Sequence, residues 1–74
     1  MKPQCTDVLN HMEKYGSITS NEAMGMYGIT RLASRISDLK QMYGYTIGKT
    51  TERGVNRYGA PVNYARYFLT EARQ

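Results

Sequence analysis

Scarcity narrows the possibilities first. With one cysteine, Cys5, the chain has no internal disulfide and no multi-cysteine zinc site. A small domain without disulfides suits a reducing, intracellular setting. His11 is the sole histidine, so no metal-ligand set is expected, and it is predicted to face solvent beside the apolar stripe of its helix. The opening Met-Lys-Pro-Gln-Cys-Thr-Asp lacks the apolar stretch of a signal peptide. No apolar run approaches the roughly 20 residues that span a membrane, and no membrane partner is expected. A nucleophile–base–acid set, a Walker-type phosphate loop and metal-ligand spacing are all missing, so neither an enzyme nor a cofactor is expected. Internal repeats and low-complexity segments are absent too.

What is present fits one small domain over residues 1–74, with 41% hydrophobic residues and seven tyrosines for its core. The net charge is +4, unevenly spread. Residues 31–66 hold Arg31, Arg35, Lys40, Lys49, Arg53, Arg57 and Arg66 against Asp38 and Glu52. Residues 1–30 instead carry one more carboxylate than cations. Such asymmetry hints at a polyanionic partner, although a solvated basic surface would have the same composition.

The first helix is predicted over residues 4–15, where Cys5, Val8, Leu9, Met12 and Tyr15 recur at helical spacing. Pro3 suits its start and Gly16 its left-handed end. Ile18 stands alone between polar residues, as a minimal strand or a core anchor. Thr19-Ser-Asn-Glu22 has the capping-box pattern and opens a second helix over about residues 20–26, with Ala23, Met24 and Tyr27 inward. Gly25 within it leaves room for close packing of another helix. Gly28 supplies the corner.

The stretch from Gly28 to Tyr43 is the most informative. Ile29, Leu32, Ala33, Ile36, Leu39 and Tyr43 fall on one helical face, and Thr30 is placed to cap it. Arg31, Ser34, Asp38 and Gln41 point the opposite way, with Arg35 on the flank and Lys40 toward the core side. After Gly44 the period changes from 3.6 to 2. Strands are expected over residues 45–53 and 62–69, joined by a turn at Asn56-Arg-Tyr-Gly59. Two strands alone do not make a stable sheet, so the hairpin must pack on the helices, with Ile18 offering a third pairing. The fold class is therefore α+β, with the architecture of a winged helix-turn-helix.

Tyr15-Gly-Ser-Ile-Thr-Ser20, Gly28-Ile-Thr-Arg-Leu-Ala-Ser-Arg-Ile-Ser-Asp-Leu39, Asn56-Arg-Tyr-Gly59 and Ala65-Arg-Tyr67 together resemble the small winged helix-turn-helix domains of bacteriophages and prophages. The likeness spans about residues 4–69. It implies binding to double-stranded DNA by a transcriptional regulator or architectural factor in the cytoplasm of a bacterial host. Helix 30–42 would lie in the major groove, with wing 49–62 on the backbone or minor groove. Arg31 and Arg35 are the candidate base readers, with Ser34 between them and Thr30 near a phosphate. Lys49, Arg53, Asn56, Arg57 and Tyr58 are the wing candidates. Arg35 can instead pair with Asp38 at i, i+3, and Arg66 can simply cover the sheet. One departure stands out. The classical repressor pattern would put inward residues at Ser34 and Ser37, whereas here they fall one earlier, at Ala33 and Ile36. The alternative function is a winged-helix interaction module that docks an acidic protein. A homodimer is compatible with the sequence, but no uncommitted apolar helix face marks its interface.

Overall fold

The computed structural model describes residues 1–70. Its elements run α1 (Pro3–Tyr15), β1 (Ile18–Thr19), α2 (Ser20–Tyr27), α3 (Leu32–Gln41), β2 (Ile47–Val55) and β3 (Pro61–Leu69). The expected helices and hairpin are present, and Ile18 does form a third strand. The antiparallel sheet has the order β1-β3-β2.

Pro3 occupies the first turn of α1, where its missing N–H costs no helical bond. Gly16, at φ 90°, closes the helix by donating to the Met12 carbonyl. Cys5, Val8, Leu9 and Met12 are buried as their spacing requires. Two neighbours depart from the expectation. Tyr15 is 56% exposed, whereas His11, expected in solvent, is 4% exposed. His11 is buried because α2 supplies partners for both ring nitrogens. Nδ1 lies 2.9 Å from the Tyr27 hydroxyl, and Nε2 lies 3.4 Å from Glu22 Oε1. A buried polar ring is tolerated when its hydrogen bonds are met in this way.

The capping box of α2 forms in full. Glu22 N–H donates to Thr19 Oγ1 at 3.3 Å, and Thr19 N–H donates to Glu22 Oε1 at 3.0 Å. Of the residues expected inward, Ala23 is fully buried and Tyr27 half-buried, but Met24 is exposed. A Cβ on Gly25 would meet open space, so the room it leaves is not filled by another helix. Gly28, at φ 70°, makes the corner, and Ile29 is then driven into the core at 1% exposure.

α3 starts later than expected. Thr30 does not cap it: Arg31 is the N-cap residue and contributes no side-chain cap bond. With Ile29 anchored, Thr30 and Arg31 lie in the bend that leads into the helix, and both are exposed. Leu32, Ile36 and Leu39 form the buried stripe. Ala33 is exposed, contrary to expectation. Its single methyl offers little apolar area compared with Leu32 beside it.

β2 also begins later than expected, because Tyr45 still belongs to the helix exit. Its N–H donates to the Leu39 carbonyl at 3.0 Å. The β2–β3 ladder then runs from Ile47↔Leu69 to Val55↔Pro61. Pro61 sits at the last pair, where the absent N–H interrupts nothing further along. Asn56 and Gly59, at φ 81°, close the turn.

Candidate nucleic-acid interface

The outer surface of α3 follows from its buried stripe. With Leu32, Ile36 and Leu39 inward, the 100° step of a helix sends Ser34, Ser37 and Gln41 outward. These are short or uncharged groups, and Gln41 Nε2 donates to Ser37 Oγ at 3.1 Å. Sequence reasoning selected Ser34 but not Ser37 as a contact. Ser34 is marked by its place between Arg31 and Arg35, which neither Ser37 nor Gln41 shares.

A groove of about 240 Å³ separates α3 from the hairpin. Ala33, Ser37, Lys40 and Gln41 line its helix side, and Ile47, Lys49 and Tyr67 its sheet side. Lys40 was expected to lean toward the core. It is exposed, as a side chain that snorkels from that side would be, and it lines the same groove as Lys49. Residues two apart on a strand share a face, so Lys49, Thr51 and Arg53 continue this surface outward, with Asn63 and Ala65 beside them on β3. Among the described residues, Arg31, Lys40, Lys49, Arg53 and Arg57 have no carboxylate within ion-pairing distance.

Other candidates are engaged within the protein. Arg35 Nη2 pairs with Asp38 Oδ2 at 3.2 Å, and Lys2 Nζ reaches the same oxygen at 3.2 Å. Asp38 thus pairs with two cations on the α1 side of α3 and offsets one of their two charges. Arg35 Nε is buried with no hydrogen-bond partner. At the wing tip, Asn56 is part of the turn rather than a free side chain. Its Oδ1 accepts from Tyr58 N–H at 2.9 Å and from Ala60 N–H at 3.1 Å. Arg57 and Tyr58 project from that turn, Tyr58 at 85% exposure.

Arg66 lies on the opposite face of the hairpin. Its Nε donates to Glu52 Oε2 at 2.9 Å, and Nη1 donates to Ser17 Oγ at 2.9 Å and lies 3.7 Å from Glu22 Oε2. The Arg66 hydrogen bond holds the Glu52 carboxyl below its ordinary pKa, and Glu52 in turn raises that of Arg66. Two glycine–aromatic contacts flank this pair. A Cβ on Gly48 would fall 2.6 Å from the Phe68 ring, and one on Gly54 would fall 3.2 Å from the Tyr64 ring.

The described residues contain no group of three or more His, Cys, Asp or Glu side chains placed to hold a metal ion. No helix among them is long and apolar enough to cross a membrane. Residues 3–72 match the family model of the winged helix-turn-helix domain. No curated protein and no solved structure matches the chain.

Proposed function

This chain belongs to the winged helix-turn-helix domain family, and from that premise we propose that it binds duplex DNA as a small regulator or architectural factor of the phage and prophage type. In this reading α3 enters the major groove. Arg31, Ser34, Ser37 and Gln41 then face base edges, with Thr30 near a phosphate. Lys40, Lys49 and Arg53 meet the phosphates flanking the groove, and Arg57 and Tyr58 reach the backbone or minor groove beyond. Arg35 contributes from the α1 side if it exchanges Asp38 for a phosphate. The observation that carries the reading is the continuous run of unpaired cations from Lys40 through Lys49 to Arg53, beside the uncharged outer face of α3. Ion pairs within the protein would remove these charges from service to a polyanion, and none forms among the described residues.

The test is binding of the purified protein to mixed-sequence duplex DNA as salt is raised. Affinity should fall steeply, with log K against log salt sloping by about −0.9 for each phosphate contacted. Arg31→Ala should weaken binding to a selected preferred sequence more than binding to random duplex. Failure to bind any duplex at about 50 mM salt, where counterion release is most favourable, would refute the reading. Capture of an acidic protein would then become the leading function.

A further inference from the structure

We infer that Glu52 and Glu22, acting through Arg66, are positioning residues that hold the hairpin at the angle DNA binding requires. The inference rests on the DNA-binding reading. Among the described residues, Arg66 is the only hairpin side chain hydrogen-bonded to the helical half of the molecule. Otherwise the base of the hairpin is held by its apolar contacts and by the short β1 pairing, Ile18↔Tyr67 and Thr19↔Arg66. The guanidinium is gripped from both sides. Glu52 holds it from the neighbouring strand at 2.9 Å, and Ser17 and Glu22 hold it from the body at 2.9 and 3.7 Å. Glu22 is itself fixed by the Thr19 N–H and lies beside buried His11. A chain of polar contacts therefore runs from β2 through β3 to the start of α2 and the middle of α1.

Leverage makes this anchor matter. Arg66 pairs with Thr50, and five further residues of β2 extend to Val55. At about 3.4 Å per residue, a tilt of about 10° at Arg66 moves the tip of the ladder by about 3 Å. At the level of Arg53, three residues out from Thr50, the shift is about 2 Å, enough to break a hydrogen bond. The planar fork of Arg66 suits such a joint, because it binds acceptors in fixed directions where an ammonium would not.

Glu52 makes the inference decisive by sign. It is the one carboxylate of the hairpin strands, on the face away from Lys49 and Arg53. If charge alone governed binding, Glu52→Gln would remove a negative group and tighten the complex. If Glu52 positions the wing, the same change weakens it.

The experiment measures duplex affinity against salt for the wild type, Glu52→Gln, Glu22→Gln and Arg66→Lys, with a thermal melt of each. Glutamine at position 22 can retain the capping box, and lysine at position 66 retains the charge. Each variant is expected to bind up to about eightfold more weakly at 0.1 M salt, with a slope shallower by up to about 0.9, as when one wing phosphate contact is lost. Their melting temperatures should stay close to the wild type, which separates lost positioning from lost folding. Wild-type binding that is unchanged or tightened by Glu52→Gln would overturn the inference alone. Absence of wild-type binding would overturn the DNA reading and the inference with it.

Discussion

The two faces of the β2–β3 hairpin are drawn from the same paired strands and end in opposite electrostatic states. One face carries Lys49, Thr51 and Arg53 against Tyr67, Ala65 and Asn63, and its cations have no carboxylate partner among the described residues. The other carries Gly48, Thr50, Glu52 and Gly54 against Phe68, Arg66, Tyr64 and Val62. There the single cation is taken up by Glu52, Ser17 and Glu22, and aromatic rings lie over glycines. Strand alternation alone makes the difference, because odd and even positions point to opposite sides. A count of basic residues assigns Arg66 and Arg53 the same weight. Their surroundings do not, since a cation already hydrogen-bonded to a carboxylate must give up that partner before it can serve another.

The sharpest way to break this contrast is to strip the first face. Lys49→Ala with Arg53→Ala should shift the slope of log K against log salt by about 1.8 and cost on the order of a hundredfold in duplex affinity at 50 mM salt. Titration of the double variant and the wild type over the same salt range checks this, and an unchanged slope would mean these cations do not meet phosphate. The next effect runs the other way. Lys2 and Arg35, like Arg66, are paired within the protein, so Asp38→Asn should release them. It is expected to bind duplex about tenfold more tightly at low salt, with a steeper slope. Looser binding would show that Asp38 orients Arg35 instead.

Smaller effects concern the second face. A Cβ at Gly48 would force the Phe68 ring aside, so Gly48→Ala should destabilise the fold by about 1 kcal/mol, at the low end for overpacking. For a domain this small that lowers the melting temperature by about 4–8 °C. The contact at Gly54 is looser at 3.2 Å, so Gly54→Ala should shift the melt less. The smallest effect is on pH dependence. The Glu52 carboxyl is lowered in the folded state by its hydrogen bond to Arg66. Its contribution is therefore present above the ordinary carboxylate range and lost as pH falls through the lowered folded value. Any melting-temperature advantage of the wild type over Glu52→Gln at pH 7 should shrink steadily as pH falls below the ordinary carboxylate range.

Much of this architecture was legible in the sequence, for identifiable reasons. The capping box at Thr19–Glu22, the glycine corner at Gly28 and the turn at Asn56–Gly59 are local devices, and each forms where its residues stand. The Arg35–Asp38 pair was open to view because it spans three residues of one helix. The failures are non-local. His11 looks like a surface residue until α2 brings Tyr27 and Glu22 to its two nitrogens. Thr30 looks like a cap until the burial of Ile29 sets the angle at which the chain enters α3. Ser37 takes its place beside the groove from which stripe of α3 is buried, and Ala33, an apolar residue by type, stays outside that stripe. The partition of the wing cations depends on register, which fixes Arg66 opposite Thr50 and within reach of Glu52.

Among the described residues, the strand order β1-β3-β2 leaves β2 at the rim of the sheet, with no strand paired to its outward amides and carbonyls. Such a rim is a template for unwanted pairing with another chain. Antiparallel pairing of two copies about Thr51 would set Lys49 of each copy against Arg53 of the other, and directly opposed like charges disfavour the ladder. The same two side chains proposed to meet phosphate would thus also disfavour such pairing at the rim of the sheet. Selection for solubility and selection for a polyanionic ligand would favour cations at the same two positions.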